Sequence, residues 1–198
     1  MSETRTSARP RLEGDRAREV LDVALRLLGE VGYDKLTLDE VATRAHASKA
    51  TLYRRWSSKA QLVAEAMGAM HGEEPFPDTG DLRGDLHALV DARRAVTDAD
   101  VRLMCGVSTA MSTDPELNRA LRERFVEPKR AAVRRILEAG RRRGEVGEHV
   151  DLDLVTSLIP AMMTFWSVVE GCAPPPGLAA RVIDELLLPA VRPRPDDG

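Results

Sequence analysis

The sequence predicts an all-α chain divided into two helical domains. Three observations point there. Apolar residues recur at three- and four-residue spacing along most of the 198 residues, and no segment alternates apolar and polar long enough to argue for a sheet. Capping residues stand at the starts of several stripes, and glycines stand at some of the ends. A stretch with two prolines, 71–80 (HGEEPFPDTG), separates the first stripes from the rest and reads as the main linker. The expected domains are 14–70 and 81–191, with 1–13 and 192–198 disordered.

The elements follow in order. Val20, Ala24, Leu27 and Val31 form a first stripe, widened by Leu21 and Leu28 and stopped by Gly32. Thr37 is an N-cap candidate with Glu40 at capping-box spacing, which opens a short helix over Leu38–Ala45. Ser48 is a cap candidate for a second short helix, Lys49–Trp56, and Ser57 or Ser58 caps the next. Leu62, Ala66, Met67 and Met70 mark that helix, and Leu82, Leu86, Leu89 and Val90 the one after it. Helices are expected at 81–98 and 101–112. Asp114-Pro115 reads as an N-cap and first-turn proline ahead of Leu117, Leu121 and Phe125. Pro128 should kink or interrupt that helix. The pattern resumes through Val133, Ile136 and Leu137 and ends near Arg143-Gly144. Residues 152–172 are apolar almost all round, with a bend expected at Pro160. Such a helix faces its own core and also a ligand or another subunit. Pro174–Pro176 is a stiff connector to a last helix with Leu178, Val182, Ile183, Leu186 and Leu187.

Composition excludes several classes. Hydrophobic residues are 43% and charged residues 31%, an ordinary balance for a soluble domain. No apolar run approaches the 18 or so residues of a membrane span. The first residues, MSETRTSARPRLEG, lack the apolar core of a secretory signal, so a cytoplasmic location is expected. Cys105 and Cys172 are too few for a zinc site and are expected as free thiols. The four histidines, His46, His71, His87 and His149, fall in no metal pattern, and no nucleophile elbow, P-loop or dinucleotide fingerprint appears. The chain reads as a protein without cofactor, metal or catalytic site. Arg141–Arg143 read as a solvated helix end.

Net charge is −3, but its distribution is uneven. Glu40 and Glu65 are consecutive acids in the sequence, and between them stand Arg44, Lys49, Arg54, Arg55 and Lys59. This basic segment coincides with the two short helices. Leu52 and Trp56 point inward, which leaves Lys49, Ala50, Thr51, Tyr53, Arg54 and Arg55 on the outer face and first turn. Two short helices, a tight turn at His46-Ala47 and an exposed basic second helix make a helix-turn-helix. The chemistry suits DNA. A helix fits the major groove, arginine grips guanine O6 and N7, and Thr51 and Ala50 meet a thymine methyl. Ser48, Tyr53 and Lys59 suit phosphate oxygens. Arg5, Arg9 and Arg11 read mainly as a flexible tail, with a minor-groove arm as the alternative.

The segment Gly32-Tyr33, Leu36–Ala42 and Ser48–Lys59 closely resembles the tetracycline-repressor (TetR) family of transcriptional regulators. The resemblance covers about the first third of the chain. It implies an all-α homodimer with an N-terminal three-helix helix-turn-helix domain for operator DNA and a C-terminal helical ligand-binding and dimerisation domain. It also implies a repressor released from DNA by a small molecule. Residues matching Thr37, Tyr53 and Lys59 hold phosphates in such repressors. Those matching Lys49, Ala50, Thr51 and Arg54 face bases or nearby backbone, and Arg55 matches a position near phosphate. Two positions depart from the family pattern. Asp39 stands where some members carry a base-reading arginine, so that arginine contact is expected to be absent, and His46 replaces the usual turn glycine.

Soft side chains at Met104, Cys105, Met111, Met162, Met163, Phe165 and Trp166 are the candidates for a ligand pocket. The same spacing also suits core or a dimer seam. Few charges punctuate 101–113 or 154–169, so a ligand held there is a small, largely apolar effector. Dimer contacts are expected through 152–190. The main reading is a sequence-specific regulator, a repressor released by its ligand. Its rivals are a helical small-molecule binding protein and a ligand-independent DNA-binding activator.

Overall fold

The computed structural model describes residues 14–70, 77–92 and 96–195. Among them the chain is helical and contains no strand. Helix α1 (Asp15–Val31) buries Val20, Leu21, Ala24, Leu27 and Leu28, and stops at Gly32, whose φ of 77° is open to glycine at little cost. Helices α2 (Leu38–Arg44), α3 (Lys49–Arg55) and α4 (Lys59–Ala69) follow, each capped by the hydroxyl the sequence points to: Thr37, Ser48 and Ser58. The capping box at α2 is only half formed. Thr37 accepts the Glu40 N–H, but the Glu40 carboxylate turns to Arg44 at 3.0 Å.

Helix α5 (Leu82–Asp91) is shorter than the expected 81–98, and α6 (Asp98–Thr113) starts at a complete capping box between Thr97 and Asp100. Asp114 and Pro115 open α7 (Pro115–Leu121) as cap and first-turn proline. Pro128 does not break the chain's helical course. A first π-helical segment, Arg122–Val126, runs directly into α8 (Glu127–Arg142), where Pro128 falls in the first turn and needs no donor.

The apolar stretch 152–172 is three pieces: α9 (Leu152–Val155), α10 (Leu158–Thr164) and a second π-helical segment, Phe165–Glu170. The interruption falls at Thr156-Ser157, before Pro160. Both hydroxyls bond back to the Asp153 carbonyl, at 3.0 and 3.2 Å, and so compete with the helix ladder. Leu152–Glu170 is 19 residues long with a mean hydropathy of 1.5, which equals a membrane span in length and composition. The expectation that no run reaches that length therefore does not hold. Only 28% of its most apolar stretch is buried inside the protomer. The last helix is continuous through α11 (Leu178–Arg181), a third π-helical segment (Val182–Leu187) and α12 (Leu188–Val191).

Two apolar cores organise these helices. The first joins α1–α4 to α6 and α7, through Leu103, Val107, Ala110, Leu117, Ala120 and Leu121. The second is built from α5 and α8 through α12. Helix α4 lies against α1, α7 and the first π segment. Its Gly68 allows the closest approach: a Cβ there would sit 2.8 Å from the Arg124 carbonyl oxygen. Pro128, four residues on, cannot donate to that carbonyl.

A polar staple ties the start of α5 to the end of α8. Asp85 is fully buried and accepts from the Thr79 N–H (2.7 Å), the Thr79 hydroxyl (2.8 Å) and Arg143 (3.1 Å). Burial alone would raise the Asp85 carboxyl. The Thr79 bonds, and then Arg143, outweigh it and hold the carboxyl below the usual carboxylate range. Arg141 bonds the Gly147 and Val150 carbonyls. Two of the three arginines expected as a solvated end are thus structural, because the chain folds back over them.

Residues 1–13, 71–76, 93–95 and 196–198 lie outside the described residues, and with them Arg5, Arg9, Arg11, His71, part of the expected 81–98 helix and most of the expected linker. Residues 192–195 leave α12 as exposed, non-helical chain.

Candidate nucleic-acid interface

The turn between α2 and α3 is built by backbone bonds. The His46 N–H donates to the Thr43 carbonyl (3.2 Å) and the Ala47 N–H to the Ala42 carbonyl (2.9 Å). This is the Schellman pattern, and it requires a left-handed residue at His46, whose φ is 50°. Arg16 of α1 secures the turn from below, donating to the carbonyls of Ala45 (2.5 Å) and His46 (3.1 Å). Nothing in the local pattern marks Arg16 for this task; it acts across 29 residues of sequence.

Leu52 and Trp56 are buried in the first core and seat α3 there beside α2. The opposite face is open. Lys49, Ala50, Tyr53 and Arg54 are exposed, Tyr53 at 53%, and Thr51 is half-buried. Tyr53 therefore does not serve as core packing. The Ser48 and Thr51 hydroxyls are 2.6 Å apart, and Ser48 also accepts the Thr51 N–H at 3.2 Å. One end of α3 is thus a rigid, capped turn carrying Lys49 and Ala50.

Two expected phosphate ligands are engaged within the protein. Arg55 pairs with Glu65 of α4 at 2.7 Å and lies 5.1 Å from the Trp56 ring centroid. The other Glu65 oxygen accepts from the Trp56 indole (2.9 Å) and Arg124 (3.4 Å). Glu65 thereby joins the end of α3 to the first π segment. Lys59 donates to the Tyr33 (3.0 Å) and Asp34 (3.3 Å) carbonyls and lies 4.2 Å from the Tyr33 ring centroid. Thr37 stays exposed at the start of α2. Lys49 is bound to Asp39, 2.7 Å from Nζ to Oδ2. Lys49 accounts for most of the fall of the Asp39 carboxyl below its ordinary value, with a smaller pull from the Tyr53 hydroxyl.

The candidate ligand residues divide between the two cores. Met104 and Met111 pack against the first, Met162 and Trp166 against the second, and Phe165 is 44% exposed. The Phe165 and Trp166 rings meet edge to face at 6.1 Å. Where α6 crosses the second π segment, the Cys105 thiol donates to the Ser167 carbonyl at 3.0 Å. Met111 lines an open groove of about 720 Å³ with Pro115, Asn118, Arg119 and Arg122. A second groove, about 580 Å³, lies between α1 and α6. The remaining six candidates line neither. Cys105 and Cys172 are free thiols, and no cluster suited to a metal occurs among the described residues.

Comparison with known proteins decides the family. Residues 20–66 match the model of bacterial regulatory proteins of the tetR family, and 76–186 match a tetracyclin repressor-like C-terminal domain. The chain belongs to the TetR family. An uncharacterized HTH-type transcriptional regulator of Mycobacterium tuberculosis is 37% identical over 89% of this chain and 88% of its own. The DNA-binding transcriptional repressor TetR of Mycobacteroides abscessus is 36% identical, over 90% of this chain and 95% of its own. Among solved structures, the TetR family transcription regulator SCO0332 superposes with a TM-score of 0.68 at 26% identity, covering 91% of this chain and all of that one. The flavonoid-responsive regulator FrrA shares the fold, with a TM-score of 0.62 at 22% identity over 92% of this chain and all of its own. As a TetR-family member the protein is a DNA-binding transcriptional regulator, and such regulators bind operator DNA and act as dimers.

Proposed function

We propose that the protein is a homodimeric repressor that leaves its operator when a small, largely apolar effector binds. Residues 14–70 serve DNA and residues 81–191 serve the effector and the dimer, in the cytoplasm and without catalysis. The observation that carries the reading is the capped α2–turn–α3 unit with Lys49, Ala50, Tyr53 and Arg54 on its open face. Helix α3 enters the major groove. Lys49, Ala50, Thr51 and Arg54 meet base edges and nearby backbone, and Thr37, Ser48 and Tyr53 meet phosphates. Arg55 and Lys59 reach phosphates only by exchanging the partners they hold here, so they act mainly by fixing α3 and α4.

Exposed Leu154, Phe165, Val168, Val169 and Leu186 support dimerisation through 152–190, where a partner covers what one protomer leaves open. The effector is placed where α6 crosses the second π segment, with Met104 and Met111 on one side and Met162, Phe165 and Trp166 on the other. Helix α6 belongs to the first core and crosses the second π segment, whose Trp166 packs against the second core; this supports the placement, since a ligand wedged there changes how one core sits on the other. The dimer holds its two recognition helices about 34–36 Å apart, and effector binding shifts the population to another spacing.

Fluorescence anisotropy with the protein's own upstream DNA, across a salt series and against random competitor, tests the reading. Saturable binding that survives competitor, and that Arg54→Ala weakens about tenfold or more, is expected. The salt slope then counts phosphates at about −0.9 per contact. Binding that competitor abolishes equally for both proteins sinks it. A Trp166 fluorescence screen with apolar compounds separates a ligand-released repressor from an activator that needs none.

A further inference from the structure

We propose that Asp39 and Lys49 together read one C·G base pair in each operator half-site. The inference rests on the placement of α3 in the major groove proposed above. Asp39 is the second residue of α2 and Lys49 the first of α3. Their side chains are 47% and 60% exposed, so the pair lies at the surface beside the start of the recognition helix. It is the N-terminal residues of such a helix that contact base edges.

The pair presents an acceptor and a donor side by side, 2.7 Å apart. A C·G pair presents the complement in the major groove: the cytosine N4 amino group, then guanine O6 and N7. N4 and O6 are themselves joined by an N–H···O bond, so they stand about 2.9 Å apart. The carboxylate accepts from N4 while the ammonium donates to O6 and N7. An A·T pair offers a donor and an acceptor at similar spacing but is a poorer match. Its amino group is flanked by adenine N7, whose lone pair repels the carboxylate, and its acceptor by the thymine methyl. Inverted pairs place the carboxylate against acceptors. Asp39 thus penalises every other base pair, which Lys49 alone does not do. Because Lys49 is spent on a base, it does not count among the phosphate contacts.

Selection from a random double-stranded library by the full-length protein, followed by sequencing, tests this. The wild type is expected to enrich sites with C·G at one symmetric position per half-site. Changing that pair should weaken binding about 5–150-fold. Asp39→Asn should level the preference at that position to within about threefold and leave other positions alone. It should also steepen the salt slope by about 0.9, as the released lysine turns to a phosphate. Replacing the guanine with 7-deazaguanine, which lacks the N7 acceptor, should weaken the wild type and not Lys49→Gln. This arm stands even if Asp39→Asn folds poorly. An unchanged motif with uniformly tighter binding by Asp39→Asn overturns the proposal and leaves the DNA reading standing. Failure of the wild type to enrich any motif overturns the groove placement itself.

Discussion

The Tyr33 hydroxyl donates a 2.8 Å hydrogen bond to the Asp114 carboxylate, 81 residues away. Tyr33 follows α1 and Asp114 caps α7, so the bond joins the DNA-binding part to the effector part. Ser58, the cap of α4, makes a parallel link to Glu116 at 2.6 Å. Both links converge where Lys59 holds the Tyr33 and Asp34 carbonyls. A shift of α7 therefore reaches the start of α4 without passing through α5.

Tyr33→Phe removes this bond alone, since the Asp114 carboxylate keeps the Leu117 N–H at 3.0 Å. A loss of about 1–2 kcal/mol is expected at pH 7, read from the urea midpoint. The Leu117 N–H first, then the Tyr33 hydroxyl, hold the Asp114 carboxyl below its ordinary value. Its contribution is therefore complete above the unfolded pKa of about 3.9 and is lost as pH falls through the folded one. The gap between wild type and variant should close below about pH 4. A gap that widens on acidification would contradict the assignment.

Asp85→Ala strands the Thr79 N–H and leaves Arg143 with Glu145 as partner. About 2–4 kcal/mol of destabilisation is expected. The folded Asp85 carboxyl is depressed, so wild-type stability from this group is present above about pH 3.9 and falls away below it. The variant should show a flatter acid limb in thermal melts taken from pH 6 downward. Parallel limbs would place the acid sensitivity elsewhere.

Gly68→Ala forces a Cβ against the Arg124 carbonyl oxygen, 2.8 Å away. Backbone cannot yield as a side-chain tip does, so α4 must move off the first π segment at a cost of about 1–3 kcal/mol. Because α4 begins at Ser58 and Lys59, operator affinity should fall by more than the unfolded fraction explains. Paired melting and anisotropy measurements check this, and an unchanged operator affinity in fully folded protein refutes it.

His46 holds a left-handed conformation within the Schellman turn. His46→Gly should be neutral or stabilising by up to about 1 kcal/mol, and His46→Val should cost about 1–2 kcal/mol. Urea titrations of the two variants decide it. Equal midpoints would mean that the turn does not constrain this residue.

Much of this was legible because it is local. Thr37, Ser48 and Ser58 act within four residues of their caps, so α2, α3 and α4 stand within one residue of expectation. Leu52 and Trp56 are inward by spacing alone. Pro128 marks an interruption of the α-helix, but its form was not legible: the preceding turn widens into a π segment and the helical course continues. The break at Thr156-Ser157 was missed because hydroxyl back-bonding competes with a ladder that apolar spacing says nothing about. At the site, exposure of Lys49, Tyr53 and Arg54 followed from the helical face. The partners of Arg55, Lys59 and Lys49 did not, since Glu65, Tyr33 and Asp39 meet them only through the tertiary fold.

Because the first core takes Leu103, Val107, Leu117 and Leu121 from α6 and α7, this helix-turn-helix is not a detachable cartridge. A chimera that grafts residues 14–70 onto another effector domain leaves Leu62 and Met67 of α4 against a surface shaped for different neighbours. Swaps of DNA specificity are better made on the open face of α3, where no apolar seam has to be recut.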